Sequence, residues 1–387
     1  MRRSDPKPAP YPSHLTLNPS ARRPHCLARE RLFLWKPASA RQATDATGRS
    51  VNLSDVDLQR ILSVMSHAWV EGTLETYASG LLAWHVYCDS KQIPEEQRAP
   101  ASPVLIASFL ATLAGLFSNK TLHNYVHGVR AWHVLHGASW VMKDDELKTM
   151  LKATERLTPT TSKRKKRLPF TPEFMSAIRR NLMLDSPLDA AVFACLTTCF
   201  YAAARLGEFT VRRLDAFDPT LHVSPANLSN AAGRDGDEVT VLHLPRTKTN
   251  AEGEDVYWAK QHGDTDPVSA LEHHRQVNRP TNDAHLFAYQ HAKGLRPLTK
   301  SKFLERIATA ARAAGLEPLQ GHGIRIGATL EYLLRGVPFE VMKAKGRWAS
   351  DAFHVYLTKH AQVLAPYMQA TPTVHDAFTR YIVPPVG

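Results

Sequence analysis

The sequence has few cysteines and no long apolar run, and each absence narrows the kinds of protein it could encode. Four of its 387 residues are cysteines, and no two of them form a CxxC pair. This usage argues against a structural zinc site and indicates a reducing compartment. No run of about 18 apolar residues occurs, so we expect neither a membrane span nor a membrane partner. The N-terminus lacks an apolar signal segment, so secretion is not expected.

Acidic residues are also scarce relative to basic ones. The chain has 36 Asp and Glu against 48 Lys and Arg, a formal net charge of +12. Residues 1–50 contribute +7 (ten basic and three acidic residues) and residues 163–167 contribute +5, so the rest of the chain is close to neutral. This excess suggests a polyanionic partner, most often nucleic acid. Basic tails occur on proteins with many roles, so composition alone leaves other partners open.

What the sequence does contain divides into four stretches. Residues 1–50, rich in Pro, Ser, Ala and Arg, are predicted to be a mostly disordered basic tail. One short apolar patch within it, LFLW at 32–35, could dock elsewhere. The apolar spacing of residues 51–157 predicts a helical domain. Residues 158–169, TPTTSKRKKRLP, have the composition of a linker, and residues 170–387 form a second domain.

Capping residues and apolar spacing predict five helices in the first domain. Their expected starts are Ser54 (with Asp57 in a capping box), Thr73, Ser102 with Pro103, Thr121 and Asp144. The fourth helix has four polar residues on its exposed sides, Lys120, His123, His127 and Arg130. These residues could form a DNA-facing surface, or they could be an ordinary solvated polar face.

The second domain is predicted to be mostly helical with a small sheet. An apolar helix is expected from Pro187 to Tyr201, and further helices are expected near 267–278 and 299–314. The stretch DEVTVLHLP at 237–245 alternates like a strand, and DVYWA after the turn NAEGE is its return strand. The predicted fold class of the whole chain is therefore mainly α with a small antiparallel β-sheet.

The predicted linker contains a block of five basic residues, Lys163, Arg164, Lys165, Lys166 and Arg167. Such a block is a candidate DNA contact, and it is also similar to a nuclear import signal. We therefore expect the protein in the nucleus if its source is eukaryotic, and in the cytoplasm otherwise.

Several polar residues of the second domain stand beside apolar framework positions. Arg205 ends an apolar helix, where an arginine is unexpected without an anionic partner, and Glu208 could brace it. Lys248 stands where a strand becomes a hairpin. His322 and Arg325 are one helical turn apart and so share a helix face. Each residue could also be an ordinary surface or ion-pairing group, and Lys248 could be simply solvated.

Trp348 and Tyr356 follow later in the chain and complete a set that could perform one reaction. A tyrosine hydroxyl can attack a DNA phosphodiester and conserve its bond energy as a phosphotyrosine. The two arginines could hold the non-bridging oxygens and stabilise the five-coordinate phosphorus. His322 could donate to the same oxygens or accept the tyrosine proton, Trp348 could donate its indole N–H, and Lys248 could protonate the leaving 5′-oxygen. No metal or other cofactor is expected, because the arginines supply the positive charge.

The tyrosine recombinase (phage integrase) family has these residue types in this order, and the chain resembles it at Arg205, Lys248, His322, Arg325, Trp348 and Tyr356. The stretch ARLGE resembles the family's first arginine motif, with Glu208 at the acidic position. The stretch GRWASDAFHVY is similar to the tryptophan-containing branch found in eukaryotic mobile elements, the Crypton-like and DIRS-like recombinases. The resemblance extends over roughly residues 55–370.

The resemblance implies a helical core-binding (SAM-like) domain followed by a mixed α/β catalytic domain, which together clamp double-stranded DNA. It implies a site-specific recombinase or integrase that works as a homo-tetramer on DNA, with a monomer in solution also allowed. The strands would be cut in pairs through a 3′-phosphotyrosine and a Holliday junction.

Alternatives remain at both the site and the function. The predicted nucleophile is Tyr356, and three further tyrosines compete for that role, Tyr332, Tyr367 and Tyr381. Trp348 could be a core-packing residue, and Arg347 beside it is expected to face away from the site. The alternative functions are a catalytically silent, domesticated DNA-binding protein, a type IB topoisomerase, and a helical scaffold protein with no nucleic-acid role.

Overall fold

The computed structural model describes residues 11, 15, 17–45, 47–162, 167–233, 236–247 and 250–348. Some of the predicted functional residues fall outside these ranges, namely Lys163, Arg164, Lys165, Lys166, Lys248 and Tyr356. The chain divides into two compact units, Met1–Lys165 and Lys166–Gly387, and the division falls within the predicted linker. The described residues are mainly helical with one three-stranded antiparallel sheet, which confirms the predicted fold class.

The N-terminal unit contains seven helices among its described residues. They are α1 (Arg31–Leu34), α2 (Asp55–Ser66), α3 (Glu71–Ser90), α4 (Glu95–Arg98), α5 (Pro103–Leu113), α6 (Asn119–His136) and α7 (Asp144–Arg156). The five predicted helices are α2, α3, α5, α6 and α7. The Ser54 and Ser102 hydroxyls cap α2 and α5 as predicted, because they accept backbone N–H groups of the first turn. The predicted capping residues of α3, α6 and α7 are wrong, since the N-caps are Val70, Ser118 and Lys143, and Thr73, Thr121 and Asp144 lie in the first turns.

Helices α3 and α6 cross with almost no space between their backbones. A Cβ atom on Gly80 would lie 2.4 Å from the Cα atom of Tyr125, and one on Gly128 would lie 2.3 Å from the carbonyl oxygen of Tyr77. Only glycine fits at either position. Large aromatic residues fill the core beside this crossing, and Trp84 and Trp132 are both almost fully buried.

The prediction that residues 1–50 are mostly disordered is wrong for the described residues 17–45. Leu32 and Trp35 of the LFLW patch are fully buried, and the indole N–H of Trp132 donates to the carbonyl oxygen of Trp35 at 2.6 Å. Arg31 is buried beside them and donates to the carbonyl oxygen of Ala78 at 2.7 Å. The segment is ordered because a few large side chains and internally bonded arginines anchor it to α3 and α6.

The C-terminal unit contains six helices and three strands among its described residues. The helices are α8 (Pro172–Arg180), α9 (Pro187–Tyr201), α10 (Pro267–Asn278), α11 (Lys300–Ala313), α12 (His322–Leu334) and α13 (Phe339–Lys345). The strands are β1 (Leu228–Ala232), β2 (Glu238–Leu244) and β3 (Glu254–Trp258). The predictions for α9 and α10 are confirmed, and α11 lies within its predicted range. None of the described helices is both long and apolar enough to cross a membrane.

The core of this unit is built around α9, whose residues from Asp189 to Tyr201 are all buried. Strand β2 lies between β1 and β3, so that Leu242 is opposite both Leu228 and Val256. The predicted hairpin corresponds to β2 and β3. Strand β1 was not predicted, because LSNAA is largely exposed and has no apolar alternation; its extended form depends on pairing with β2.

Candidate functional site

Arg205 lies in the tight loop that follows α9. The chain leaves α9 through Ala203, which has a left-handed φ of 50°. A 3-10 turn at Leu206–Glu208 then folds the Glu208 carboxylate back onto Arg205. The backbone N–H of Arg205 donates to Glu208 Oε2 at 2.9 Å, and Arg205 Nη1 donates to Glu208 Oε1 at 3.0 Å. The predicted contact between these two residues is therefore present, and the Arg205 side chain remains 32% exposed.

Glu208 also accepts a hydrogen bond from a second arginine, Arg347. Arg347 Nη2 donates to Glu208 Oε2 at 2.6 Å, and Arg347 Nη1 donates to Glu254 Oε1 at 2.9 Å. The prediction that Arg347 faces away from the site is thus wrong. After α13 its backbone adopts a left-handed φ of 56°, and its side chain is directed to Glu208. Burial acts to raise the pKa of Glu208, but Arg347 and Arg205 outweigh it and hold that pKa below its usual value.

His322 and Arg325 occupy the first turn of α12 but differ in exposure. His322 is the first residue of the helix and is exposed, whereas Arg325 is only 3% exposed. Arg325 Nη2 donates to the carbonyl oxygen of Gly346. One N–H of the Arg325 guanidinium is therefore directed to the backbone before Arg347.

Trp348 packs directly against Arg325. The Arg325 guanidinium carbon lies 4.4 Å from the centroid of the indole ring, a cation–π contact. The same ring lies over Gly346, where any Cβ atom would overlap the indole. Trp348 is also half-buried against the apolar core. In this position Trp348 contacts a predicted site residue and packs against the core, so the two predicted roles do not exclude each other.

Burial and several cationic residues of this region lower the pKa of His322. Loss of water around the ring lowers the pKa of His322, and the nearby positive charges lower it further; these belong to Arg167, Arg325, Arg205 and Lys300. Four cations whose charges act on one imidazole provide a favourable electrostatic environment for an anion such as a phosphate. Arg167 is the one described member of the predicted basic block.

Lys300 is one of the four cations that lower the pKa of His322, and the sequence did not predict it. It is exposed at the first turn of α11, and its backbone N–H donates to the carbonyl oxygen of Val211 at 3.0 Å. That bond holds the start of α11 beside the segment that follows Arg205. The sequence around Lys300 gives no sign of this role, because tertiary contacts with the segment at Val211 place it near His322.

Among the competing nucleophiles, Tyr332 is the one that the structure describes. Its hydroxyl donates to the carbonyl oxygen of Tyr201 at 2.8 Å, and burial raises its pKa well above the usual value. Both features disfavour the phenolate that attack on phosphorus requires. Tyr356, Tyr367 and Tyr381 all lie outside the described residues.

The β2–β3 hairpin contains Lys248, which lies outside the described residues. The residues around it close the turn. The backbone N–H of Thr247 donates to the Asn250 carbonyl oxygen at 2.9 Å, and Asn250 Nδ2 donates to the Gly253 carbonyl oxygen at 2.7 Å. Within the described ranges, no group of three or more His, Cys, Asp and Glu side chains is arranged to hold a metal ion.

The polar surface predicted on α6 of the N-terminal unit is partly engaged internally. Lys120 is exposed, but His123, His127 and Arg130 are half-buried. Arg130 Nη1 is 3.1 Å from Asp144 Oδ1, which offsets its charge. The structure therefore leaves Lys120 as the most accessible cation of the four.

No protein-family model matches the sequence, and no curated protein matches it either. Among solved structures, XerA recombinase is similar at 13% identity, with 83% of this chain and 96% of that chain covered and a TM-score of 0.32. A lambda integrase tetramer bound to a Holliday junction is similar at 13% identity over 77% of this chain and 75% of that chain, with a TM-score of 0.44. A Flpe–Holliday junction complex is similar at 12% identity over 80% of each chain, with a TM-score of 0.34. Likenesses at this level carry no functional argument, so the function proposed below rests on the chain's own residues.

Proposed function

We propose that this chain is a site-specific DNA recombinase that cuts and rejoins DNA through a 3′-phosphotyrosine, without a metal or nucleotide cofactor. The observation that carries the proposal is the clustering of Arg205, His322, Arg325 and Trp348. They come from three separate stretches of sequence: burial and then the charges of Arg325 and Arg205 lower the pKa of His322, and Trp348 packs on Arg325. These contacts support the proposal for four of the six residues predicted for phosphoryl transfer.

In the proposed reaction, Tyr356 attacks the phosphorus and the bond from phosphorus to the 5′-oxygen breaks. His322 accepts the tyrosine proton, a role that suits an imidazole whose low pKa keeps it neutral at neutral pH. Lys248 returns a proton to the leaving 5′-oxygen. Rejoining is the reverse reaction with a different 5′-hydroxyl, so the energy of the phosphodiester is retained in the phosphotyrosine.

The arginines stabilise the extra negative charge that develops as phosphorus becomes five-coordinate. Arg205 is partly exposed and can place its guanidinium fork on the non-bridging oxygens. Arg325 lies beneath the surface, where it adds positive charge and orients the Trp348 ring. In the proposed reaction the Trp348 indole N–H donates to a phosphate oxygen.

The proposed family branch, oligomeric state, DNA-binding domain and localisation are supported by the sequence alone. The stretch GRWASDAFHVY supports the Crypton-like and DIRS-like branch, and with it an origin in a mobile element. By the same resemblance, we propose that the active species is a homo-tetramer on double-stranded DNA, with the N-terminal unit as a core-binding DNA-binding domain. The basic block at 163–167 supports DNA contact, and nuclear localisation in a eukaryotic cell.

The test of this function is covalent trapping on DNA. Wild type, Tyr356→Phe and Tyr332→Phe are incubated with a pool of nicked duplexes that includes the sequences flanking the gene, then denatured, and protein that stays on DNA is measured. We expect adducts with wild type and Tyr332→Phe, because the Tyr332 hydroxyl is bonded to Tyr201, and none with Tyr356→Phe. DNA binding by all three proteins is measured in parallel.

Other outcomes point to the alternatives. An adduct with Tyr356→Phe would move the nucleophile to Tyr367 or another tyrosine. Binding without any adduct would favour the domesticated DNA-binding protein, and relaxation of supercoiled DNA by a monomer without sequence preference would favour a topoisomerase. DNA affinity that does not change with salt concentration would favour the scaffold protein.

A further inference from the structure

Four charged side chains of the C-terminal unit form an alternating chain. Arg205 contacts Glu208 at 3.0 Å, Glu208 contacts Arg347 at 2.6 Å, and Arg347 contacts Glu254 at 2.9 Å. The two inner members are largely buried, with side-chain exposures of 7% for Glu208 and 9% for Arg347. Ion pairs this well shielded from water are held in one geometry, unlike exposed pairs.

This chain of charges joins three segments that are far apart in sequence. Arg205 and Glu208 belong to the loop after α9, Arg347 lies directly before Trp348, and Glu254 is the first residue of β3. Arg347 is the member that contacts both acids, so its fork is the link between the Arg205 loop and the hairpin.

The base of the hairpin is closely packed beside Glu254, the residue to which Arg347 is bonded. Gly253 precedes Glu254 with a left-handed φ of 82°, and a Cβ there would lie 2.4 Å from the carbonyl oxygen of Leu244. The two strands therefore approach closely beside Glu254. Through Glu254, Arg347 is bonded to the first residue of β3, in the hairpin whose sequence contains Lys248.

The sharing of Glu208 also matters for charge. A carboxylate bonded to Arg205 alone would neutralise it, and a neutral pair attracts phosphate weakly. Because Glu208 also bonds to Arg347, which in turn bonds to Glu254, the four side chains sum to zero charge, and Glu208 is not the partner of Arg205 alone. The two bonds between Arg205 and Glu208 hold Arg205 in a fixed position.

We propose that Arg347 is a positioning residue, which holds the Arg205 loop and the Lys248 hairpin in register through Glu208 and Glu254. The role rests on the proposed recombinase function. Arg347 itself need not touch DNA. Its planar fork can bond two carboxylates at once, which a lysine ammonium cannot do with the same geometry.

The role predicts different effects for three variants. Arg347→Gln should slow strand cleavage at saturating DNA by about a hundredfold, the scale expected when catalytic groups shift by about 1 Å. Arg347→Lys should recover part of that loss, because it restores the charge without the fork. Glu254→Gln should have a smaller effect, since the Arg205 brace stays intact. The affinity for DNA should change little in all three.

A pH profile separates positioning from a general loss of structure. Arg347 is the largest of the influences that lower the pKa of Glu208, so its removal should raise that pKa. In Arg347→Gln, protonation of Glu208 should therefore begin at a higher pH and weaken the brace on Arg205. The acid limb of the cleavage profile should shift to higher pH relative to wild type, whereas an unfolding defect would not be specific to that limb.

The experiment combines single-turnover formation of the covalent adduct with hydrogen–deuterium exchange of the full-length variants. Arg347→Gln should raise exchange in both 203–211 and 254–258, and Glu254→Gln should raise it in 254–258 alone. Circular dichroism checks that each variant is folded. Wild-type cleavage rates in Arg347→Gln, or unchanged exchange in either segment, would overturn the positioning role alone. The absence of any adduct with wild type would instead overturn the proposed function, and the role with it.

Discussion

Glu208 is the residue on which the geometry of the candidate site depends most. Its carboxylate accepts from the Arg205 backbone and from the guanidinium groups of both Arg205 and Arg347. It is also buried, so loss of its charge would leave Arg347 in a poorly solvated position without its closest partner. Removing one member of such a buried pair costs far more than removing an exposed one.

Glu208→Gln should therefore lower the free energy of unfolding by about 3–5 kcal/mol at pH 7. The folded-state pKa of Glu208 is lowered, so its stabilising contribution is present above the unfolded-state pKa of about 4.3 and is lost as pH falls through the lower folded value. The difference between wild type and variant should shrink under acid conditions. Urea unfolding at pH 7 and near pH 3 measures both differences.

The control for that change is Glu331→Gln. Glu331 pairs with Arg335 at 2.8 Å in a more exposed position, so its loss should cost less than about 1 kcal/mol. Equal destabilisation by the two variants, or an effect of Glu208→Gln that does not vary with pH, would contradict the assignment of Glu208 as a buried, charged brace.

At the scale of elements, the crossing of α3 and α6 determines the shape of the N-terminal unit. The helices approach so closely that a methyl group on Gly128 would meet the Tyr77 carbonyl oxygen at 2.3 Å. Gly128→Ala should lower the free energy of unfolding by about 1–3 kcal/mol, despite the higher helix propensity of alanine, because the helices must separate. Lys120→Ala, an exposed change on the same helix, should alter it by less than about 0.5 kcal/mol. Urea unfolding compares the two, and a stabilised Gly128→Ala would show that the crossing is looser than described.

The elements that the sequence predicted well are those with local causes. Ser54 and Ser102 cap their helices within one turn, and the helix at 267–278 begins at a proline and follows an aspartate cap. The failures have tertiary causes. The direction of Arg347 depends on a left-handed residue after α13, and the approach of Lys300 to His322 depends on a backbone bond to Val211. Residue type and order predict which residues belong to the candidate site, but neither could predict these contacts.

At the scale of the whole molecule, part of the positive charge counted in residues 1–50 is buried in internal contacts. Arg23, within the nominal basic tail, contacts Asp89 at 2.9 Å and Glu95 at 3.0 Å and is only 8% exposed. Arg31 is 5% exposed and bonded to a backbone carbonyl. These two arginines stabilise the fold of the N-terminal unit and cannot release counterions from DNA. The longest uninterrupted run of basic residues in the sequence is the block at 163–167.

This distribution predicts how DNA affinity depends on salt. Each phosphate neutralised by a basic residue contributes about 0.9 to the slope of log affinity against log salt concentration. Replacing the five basic residues 163–167 by glutamine should reduce that slope by up to about 4.5, if each contacts a phosphate. Arg23→Gln should lower the free energy of unfolding and leave the slope unchanged, because Arg23 is bonded to Asp89 and Glu95. Fluorescence anisotropy across a salt series measures both slopes. A slope that falls with Arg23→Gln but not with the linker replacement would assign the DNA contact to the N-terminal segment instead.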